Sequence, residues 1–265
     1  MSQNPNFNFT TALMTGGGGG IGRALAEFLI SEGKKVIIAG RTESNLQSTA
    51  KEIGASAYYV LDTGKTASIP SFVAKITKEH PDLDCLINNA GVQRPLNVNE
   101  DDLAELLQKA DQEIDINIRG PMHLAVAFLP HLKSKDHAVI VNVSSVLGFI
   151  PMSTINPVYN GTKAWLHFWT LNLRKQLQSS NIKVIEIAPP TVATDLHRER
   201  KDPDDNKKEK NSAALSVNEF VAEVGRKWRG GEEMIAAGPA NAIVELWEGS
   251  MGKKYESMVQ DLPSS

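Results

Sequence analysis

A chain of 265 residues, 41% of them hydrophobic, is long enough to bury a substantial core, and α/β folds of this length often form one domain. Its 28 Lys and Arg against 31 Asp and Glu leave a net charge of −3, which gives no electrostatic footprint for nucleic acid or an anionic membrane. No window approaches the roughly 18 apolar residues of a membrane span, and the polar stretch 1–10 lacks a signal-peptide pattern. The expectation is a cytoplasmic protein, a single domain over 1–265, with no nucleic acid and no membrane among its partners.

The first apolar strand, Ala12-Leu13-Met14, runs into Thr15-Gly16-Gly17-Gly18-Gly19-Gly20-Ile21-Gly22 and then a helix pattern from Arg23. Glycine lets the backbone turn through positive φ and lets a ligand approach, while a helix N-terminus offers unpaired N–H groups to a pyrophosphate. Gly17, Gly19 and Gly22 satisfy G-x-G-x-x-G, and Gly16, Gly20 and Gly22 satisfy the wider G-x-x-x-G-x-G, so these residues alone leave the register open. Spacing then predicts strands at 35–39, 56–61 and 83–87, with helices over 44–53 and 67–80 between them. Cys85 is the one cysteine and reads as a buried strand thiol. Gly16, Arg41, Asp62 and Asn88 all fall at strand exits.

Farther on, Leu103, Leu106, Leu107, Ala110 and Ile114 form one apolar helical stripe, which Asn117-Ile118-Arg119-Gly120-Pro121 disturbs. A fifth strand at 139–143 ends in Ser144-Ser145, and Pro157 opens a helix that carries Tyr159 and Lys163 on to Gln178. A sixth strand at 182–188 is broken by Pro189-Pro190. Strands alternating with amphipathic helices imply a parallel sheet covered on both faces, with ligands bound beyond the carboxyl ends of the strands.

Taken together, Thr15-Gly16-x-x-x-Gly20-Ile21-Gly22, Asn88-Asn89-Ala90-Gly91, Asn117, Asn142-Val143-Ser144-Ser145 and Tyr159-x-x-x-Lys163 resemble the motif set of the short-chain dehydrogenase/reductase family, over residues 10–195. The stretch 219–238, with Gly230-Gly231-Glu232-Glu233, is similar to the DltE-type oxidoreductases. The resemblance selects the Gly16/Gly20/Gly22 register and implies a Rossmann-type, doubly wound parallel sheet of about seven strands with helices on both faces. It also implies cofactor binding by Gly16, Gly20, Ile21, Gly22, Arg41, Asp62, Asn88, Gly91, Tyr159, Lys163, Thr191 and Thr194. The implied catalytic set is Asn117, Ser145, Tyr159 and Lys163, with no metal.

The residue types suit the chemistry. Hydride transfer to a carbonyl develops negative charge on oxygen, so the site needs a proton donor and a polarising hydrogen bond. Tyrosine, with an ordinary pKa of about 10, is a poor acid at neutral pH. A lysine one helical turn away shares its face, and its charge stabilises the phenolate. Tyr159 and Lys163 have that spacing, although an isolated Y-x-x-x-K is common by chance. Ser145 is placed to hydrogen-bond the same carbonyl oxygen, with Ser144 as the competing assignment.

Asn117 resembles the family's helix-interrupting asparagine, which holds a water in a proton relay, and a simple kink is the alternative. Asp62 resembles an adenine contact or else caps the next helix. Asn88 resembles the residue that steadies the central strands and ribose, and Thr191 and Thr194 those near the carboxamide and pyrophosphate. Pro190 stands where the family has glycine, so the pocket entrance is expected to differ in shape. Gly40 offers no carboxylate to the adenosine ribose, whereas Arg41, helped by Thr42, suits a 2′-phosphate. NADP(H) is therefore expected ahead of NAD(H), unless Arg41 lies on solvent or on the adenine face.

Two function classes follow. One is an oxidoreductase that reduces a ketone or aldehyde, or oxidises the matching secondary alcohol. The other is a non-catalytic NADP(H)-binding sensor or scaffold, which loss of the tyrosine, lysine or serine would favour. The small-molecule substrate pocket is expected from Gln93, Leu147, Met152, Val158 and a charged segment at 195–211. That segment, part of a lid near 195–215, has too little apolar surface to pack and reads either as a mobile cover or as a solvated insertion. Trp165, Phe168 and Trp169 give the Tyr159 helix a second apolar face beside Leu166, Leu173 and Leu177. The resemblance implies that this helix and the preceding long one pair between copies, as a homodimer or homotetramer.

Overall fold

The computed structural model describes residues 4–260. Short apolar runs form seven strands: β1 (Thr11–Thr15), β2 (Lys35–Gly40), β3 (Ala57–Val60), β4 (Cys85–Asn88), β5 (Ala138–Val143), β6 (Ile182–Ala188) and β7 (Met234–Ala236). All pair in parallel in the order β3-β2-β1-β4-β5-β6-β7, the expected doubly wound sheet. The order reverses between β1 and β4, and a crevice opens there beyond the strand ends.

Successive strand residues face opposite sides, and both sides are covered, so the central strands are apolar throughout. On one side Met14, Ile38, Ile87 and Val141 meet α1 (Gly20–Ser31), α2 (Glu43–Ile53) and α7 (Val217–Gly230) through Leu25, Leu29, Leu46, Phe220 and Trp228. On the other, Leu13, Ile37, Leu86 and Ile140 meet α3 (Ile69–Glu79), α5 (Gly120–Lys133) and α6 (Pro157–Leu177) through Ile76, Phe128 and Leu173. Cys85 is buried in β4, as expected. Helices α8 (Ala240–Trp247) and α9 (Lys253–Val259) follow β7. Helix α7 starts in a capping box, with Ser216 and Glu219 each accepting from the other's main chain.

Helix α4 (Leu103–Ile114) divides its apolar stripe: Leu103, Leu107 and Ile114 are exposed, and Ala110 is buried together with Glu113. Its inner side meets α6 and the π-turn Asp115–Arg119, where polar groups of the crevice lie, rather than an apolar layer. One expectation is corrected: the charged segment at 195–211 does pack, through polar contacts instead of apolar ones. Asn206 is buried, and its Nδ2 donates to the Val192 and Thr194 carbonyls at 3.0 and 2.9 Å. No helix among the described residues is long and apolar enough to cross a membrane.

Candidate active site

The glycine loop joins β1 to α1 and opens a cavity of about 830 Å³ that spans the strand exits. Gly16 takes φ 67°, in the left-handed region where a side chain is strained. Gly22 permits a close approach: a Cβ there would stand 2.3 Å from the Gly16 carbonyl oxygen and 2.4 Å from Asn89 Nδ2. Gly22→Ala is therefore expected to destabilise the fold by about 1–3 kcal/mol, from overpacking against backbone. Gly19→Ala, where a Cβ meets nothing within 4 Å, should change stability by less than about 0.5 kcal/mol. Denaturant unfolding of both variants checks this pair, and equal losses would refute the assigned contact.

Side chains that local reading missed hold this loop. Asn89 Nδ2 donates to the Thr15 carbonyl at 3.0 Å, and the Asn89 and Ala90 N–H groups donate to Thr15 Oγ1. Asn45 Nδ2 and Thr49 Oγ1 of α2 donate to the Gly18 carbonyl at 2.9 and 3.2 Å. Of the expected cofactor residues, Gly16, Gly20, Ile21, Gly22, Arg41, Asp62, Gly91, Tyr159, Lys163, Thr191 and Thr194 line the cavity. Asn88 lies behind the wall, donating from Nδ2 to Asn142 Oδ1 at 2.9 Å and so tying β4 to β5. Asp62 accepts from the Gly64 N–H within its own turn rather than capping α3.

Ser145, Tyr159 and Lys163 line the same cavity. Pro157 at the first turn of α6 starts the helix that sets Tyr159 and Lys163 one turn apart, both buried. Lys163 Nζ donates to the Val143 carbonyl at 2.8 Å and lies 5.5 Å from the Tyr159 ring centroid. The Ser145 hydroxyl faces the Tyr159 phenol and favours its ionised form. Ser144 is committed elsewhere, donating to Glu186 Oε1 at 2.5 Å while His167 Nδ1 holds the other oxygen at 2.9 Å. Both serines line the cavity, and Ser145 is the one whose hydroxyl is not given to Glu186.

The charges differ from the simple lysine–tyrosine picture. Burial, with the Glu113 carboxylate second, pushes the Tyr159 phenol above its ordinary range, against the pull of Ser145 and Arg200. Burial also brings Lys163 down to about 8, although Glu113 and Glu186 favour its charged form. The ammonium is pinned to the Val143 carbonyl, and its own charge is costly in so dry a position.

Asn117 sits in the π-turn Asp115–Arg119, one wide turn between α4 and α5, as its disturbing position suggested. Its Oδ1 accepts from the Val92 N–H at 2.9 Å, and its Nδ2 donates to the Val92 carbonyl and to Thr162 Oγ1 at 2.8 and 3.2 Å. The side chain therefore bridges the loop after β4 to α6, beside Lys163, and does not line the cavity.

Gln93, Leu147 and Met152 line the substrate side, with Pro189, Pro190 and the segment at 195–211. Arg200 reaches across the mouth, donating to Gln93 Oε1 at 2.9 Å, Asn156 Oδ1 at 2.6 Å and Asp205 Oδ2 at 2.7 Å. His197 pairs with the other Asp205 oxygen, and burial holds its imidazole below the ordinary histidine range. Nothing in the linear order of these residues signals that they meet.

A family model described as short chain dehydrogenase matches residues 10–205. The uncharacterized oxidoreductase DltE of Bacillus subtilis (strain 168) is 38% identical over 192 residues, covering 72% of this chain and 75% of that protein. The uncharacterized oxidoreductase SERP2049 of Staphylococcus epidermidis is 32% identical over 186 residues, covering 70% and 79%. Among solved structures, a short-chain dehydrogenase from Sphingobium yanoikuyae in complex with NADPH shares the fold at TM-score 0.80 and 23% identity, covering 96% of both chains. The closed form of a serine dehydrogenase complexed with NADP+ reaches TM-score 0.74 at 28% identity, covering 86% of this chain and 94% of the other. A family match over most of the length, on a chain with this strand order, glycine loop and Tyr159–Lys163 pair, shows that it belongs to the short chain dehydrogenase family of oxidoreductases.

Proposed function

We propose that this protein is an NADP(H)-dependent oxidoreductase that interconverts a ketone or aldehyde and the matching alcohol. The observation that carries the reading is one cavity lined both by the glycine loop and by Ser145, Tyr159 and Lys163. The residues fit a dinucleotide: the loop leaves open space above Gly19, α1 begins at the cavity, and Arg41 is exposed with no ion pair among the described residues. Gly16, Gly20, Ile21 and Gly22 would hold the pyrophosphate, Arg41 and Asp62 the adenosine side, and Gly91, Thr191 and Thr194 the nicotinamide side. A serine dehydrogenase complexed with NADP+ among the similar structures supports the phosphorylated form.

When bound, the cofactor supplies or takes up the hydride. In the reductive direction Tyr159 donates a proton to the carbonyl oxygen, which Ser145 polarises with a hydrogen bond. The Lys163 ammonium stabilises the phenolate left behind, and Asn117 keeps Lys163 in place through Thr162 and Val92. Oxidation of NADPH by a panel of ketones and aldehydes tests the reading, with turnover of at least one member expected. No turnover across the panel, nor of the matching alcohols with NADP+, would sink it.

The chain is proposed to act as one domain in the cytoplasm, with residues 195–215 as its lid. Polar contacts, several of them wholly or partly buried, hold 195–211, so opening it exposes little apolar area. Hydrogen exchange should find 195–211 less protected than the sheet in free protein and more protected with cofactor and substrate together. Equal protection in both states would leave it an insertion with no gating role. Exposed Leu103, Leu107 and Ile114 on α4 and Phe168 on α6 support pairing of these helices between copies, as a homodimer or homotetramer.

A further inference from the structure

Glu113 is the one acidic residue that α4 buries, at 0% exposure, while the leucines of that helix face outward. Burying a carboxyl is costly unless it is paired, yet neither Glu113 oxygen has a hydrogen-bond partner among the described residues. The Arg94 main chain leans on it without closing a bond of normal geometry. Glu186, the other buried acid near Lys163, is by contrast fully engaged by Ser144 and His167.

The place of this unpaired group gives it a role. The charged and titratable groups that face it are Arg94 after β4, Lys163 and Tyr159 on α6, and Glu199 in the 195–215 segment. Helix α4 packs on α6, and Asn117, one turn beyond Glu113, is bonded to Thr162, the neighbour of Lys163. An unpaired acid, buried on the face of α4 that packs against the helix carrying two proton-transfer groups, is explained better by their chemistry than by stability.

We propose that Glu113 is a positioning residue for the reaction, a buried carboxyl that acts through Lys163 and fixes the charge of its ammonium. It touches neither the cofactor nor the substrate, and the proposal rests on the roles given above to Tyr159 and Lys163. An ionised Glu113 favours the protonated forms of both partners, the ammonium and the phenol, which are the forms that reductive proton delivery requires. Burial raises Glu113 to about 7 and lowers Lys163 to about 8, so the two titrate as a coupled pair across the neutral range. Loss of the Glu113 charge lets Lys163 deprotonate at lower pH.

Glu113→Gln keeps the shape of the side chain and removes its charge. In carbonyl reduction the alkaline limb of its rate profile is expected about one pH unit below that of wild type, with KM for the carbonyl within a few-fold. Glu113→Asp should restore part of the limb, and a profile that overlays wild type would overturn the proposal. A second measurement needs no turnover: infrared difference titration of the protonated carboxyl in the full chain. Lys163→Met removes the cation and should raise the Glu113 midpoint by about one pH unit. An unchanged midpoint overturns the coupling even if Glu113→Gln fails to fold. A raised midpoint in a protein that reduces no carbonyl supports the coupling and counts against the proposed reaction instead.

Discussion

Tyr159→Phe is expected to lower carbonyl turnover by about 10²–10⁴-fold, the usual weight of a positioned general acid. The substitution removes one hydroxyl and leaves the buried ring in its place on α6. Lys163 keeps its bond to the Val143 carbonyl, and the glycine loop is held by Thr15, Asn45, Thr49 and Asn89, none of which bonds Tyr159. Cofactor affinity should therefore stay within a few-fold, read by titrating protein fluorescence with NADPH. The phenol stands above its ordinary range, so it is protonated throughout the working pH and its loss cannot be recovered by changing pH. Turnover within a few-fold of wild type would remove Tyr159 as the proton donor. A fall in affinity as large as the fall in rate would show that the phenol serves binding instead.

The second large effect concerns cofactor choice and rests on Arg41. Position 40 ends β2 without a carboxylate, and a Cβ there would already meet Leu46 Cδ2 at 3.3 Å, which leaves an acidic side chain little room. Arg41 follows at the cavity rim, exposed, with Thr42 and Asn45 beside it. A guanidinium free of carboxylates can take a phosphate in two hydrogen bonds, and charged bonds of this kind contribute about 1.5–3 kcal/mol. That range corresponds to a preference for NADPH over NADH of about tenfold to a hundredfold. In Arg41→Ala the preference is expected to collapse through loss of kcat/KM with NADPH, while the NADH value changes little. An unchanged ratio would mean that Arg41 lies on solvent or on the adenine face.

Strands and helices were legible in the sequence because each is set by a local pattern. The expected strand at 182–188 coincides with β6, and the helix opened by Pro157 ends within a residue of the expected place. Parallel order followed from alternation, since a right-handed crossover of helix length is what separates parallel neighbours. Candidate site residues were legible for a related reason. A parallel sheet gathers its strand exits at one edge, so Gly16, Arg41, Asp62 and Asn88 were assigned to one site from spacing alone; the first three line the cavity and Asn88 lies behind its wall.

What only the tertiary structure decided is how side chains distant in sequence meet. Ser144 and Ser145 are equivalent as a dipeptide and both line the cavity, but Glu186 on the neighbouring strand engages the hydroxyl of the first and not that of the second. The leucine stripe of α4 carried a true helical period, but a period gives one face without saying whether that face turns to the core or outward. The charged segment at 195–211 offered no apolar signal, and its folding depends on Gln93 and Asn156, which are brought to Arg200 by other loops. Composition, periodicity and spacing thus determined the elements, the parallel sheet and the edge where the cavity opens, because those depend on neighbours along the chain. Hydrogen-bond partners, burial of Glu113 and the charge state of Lys163 depend on neighbours across it, where only the packed fold determines what lies within a few ångströms.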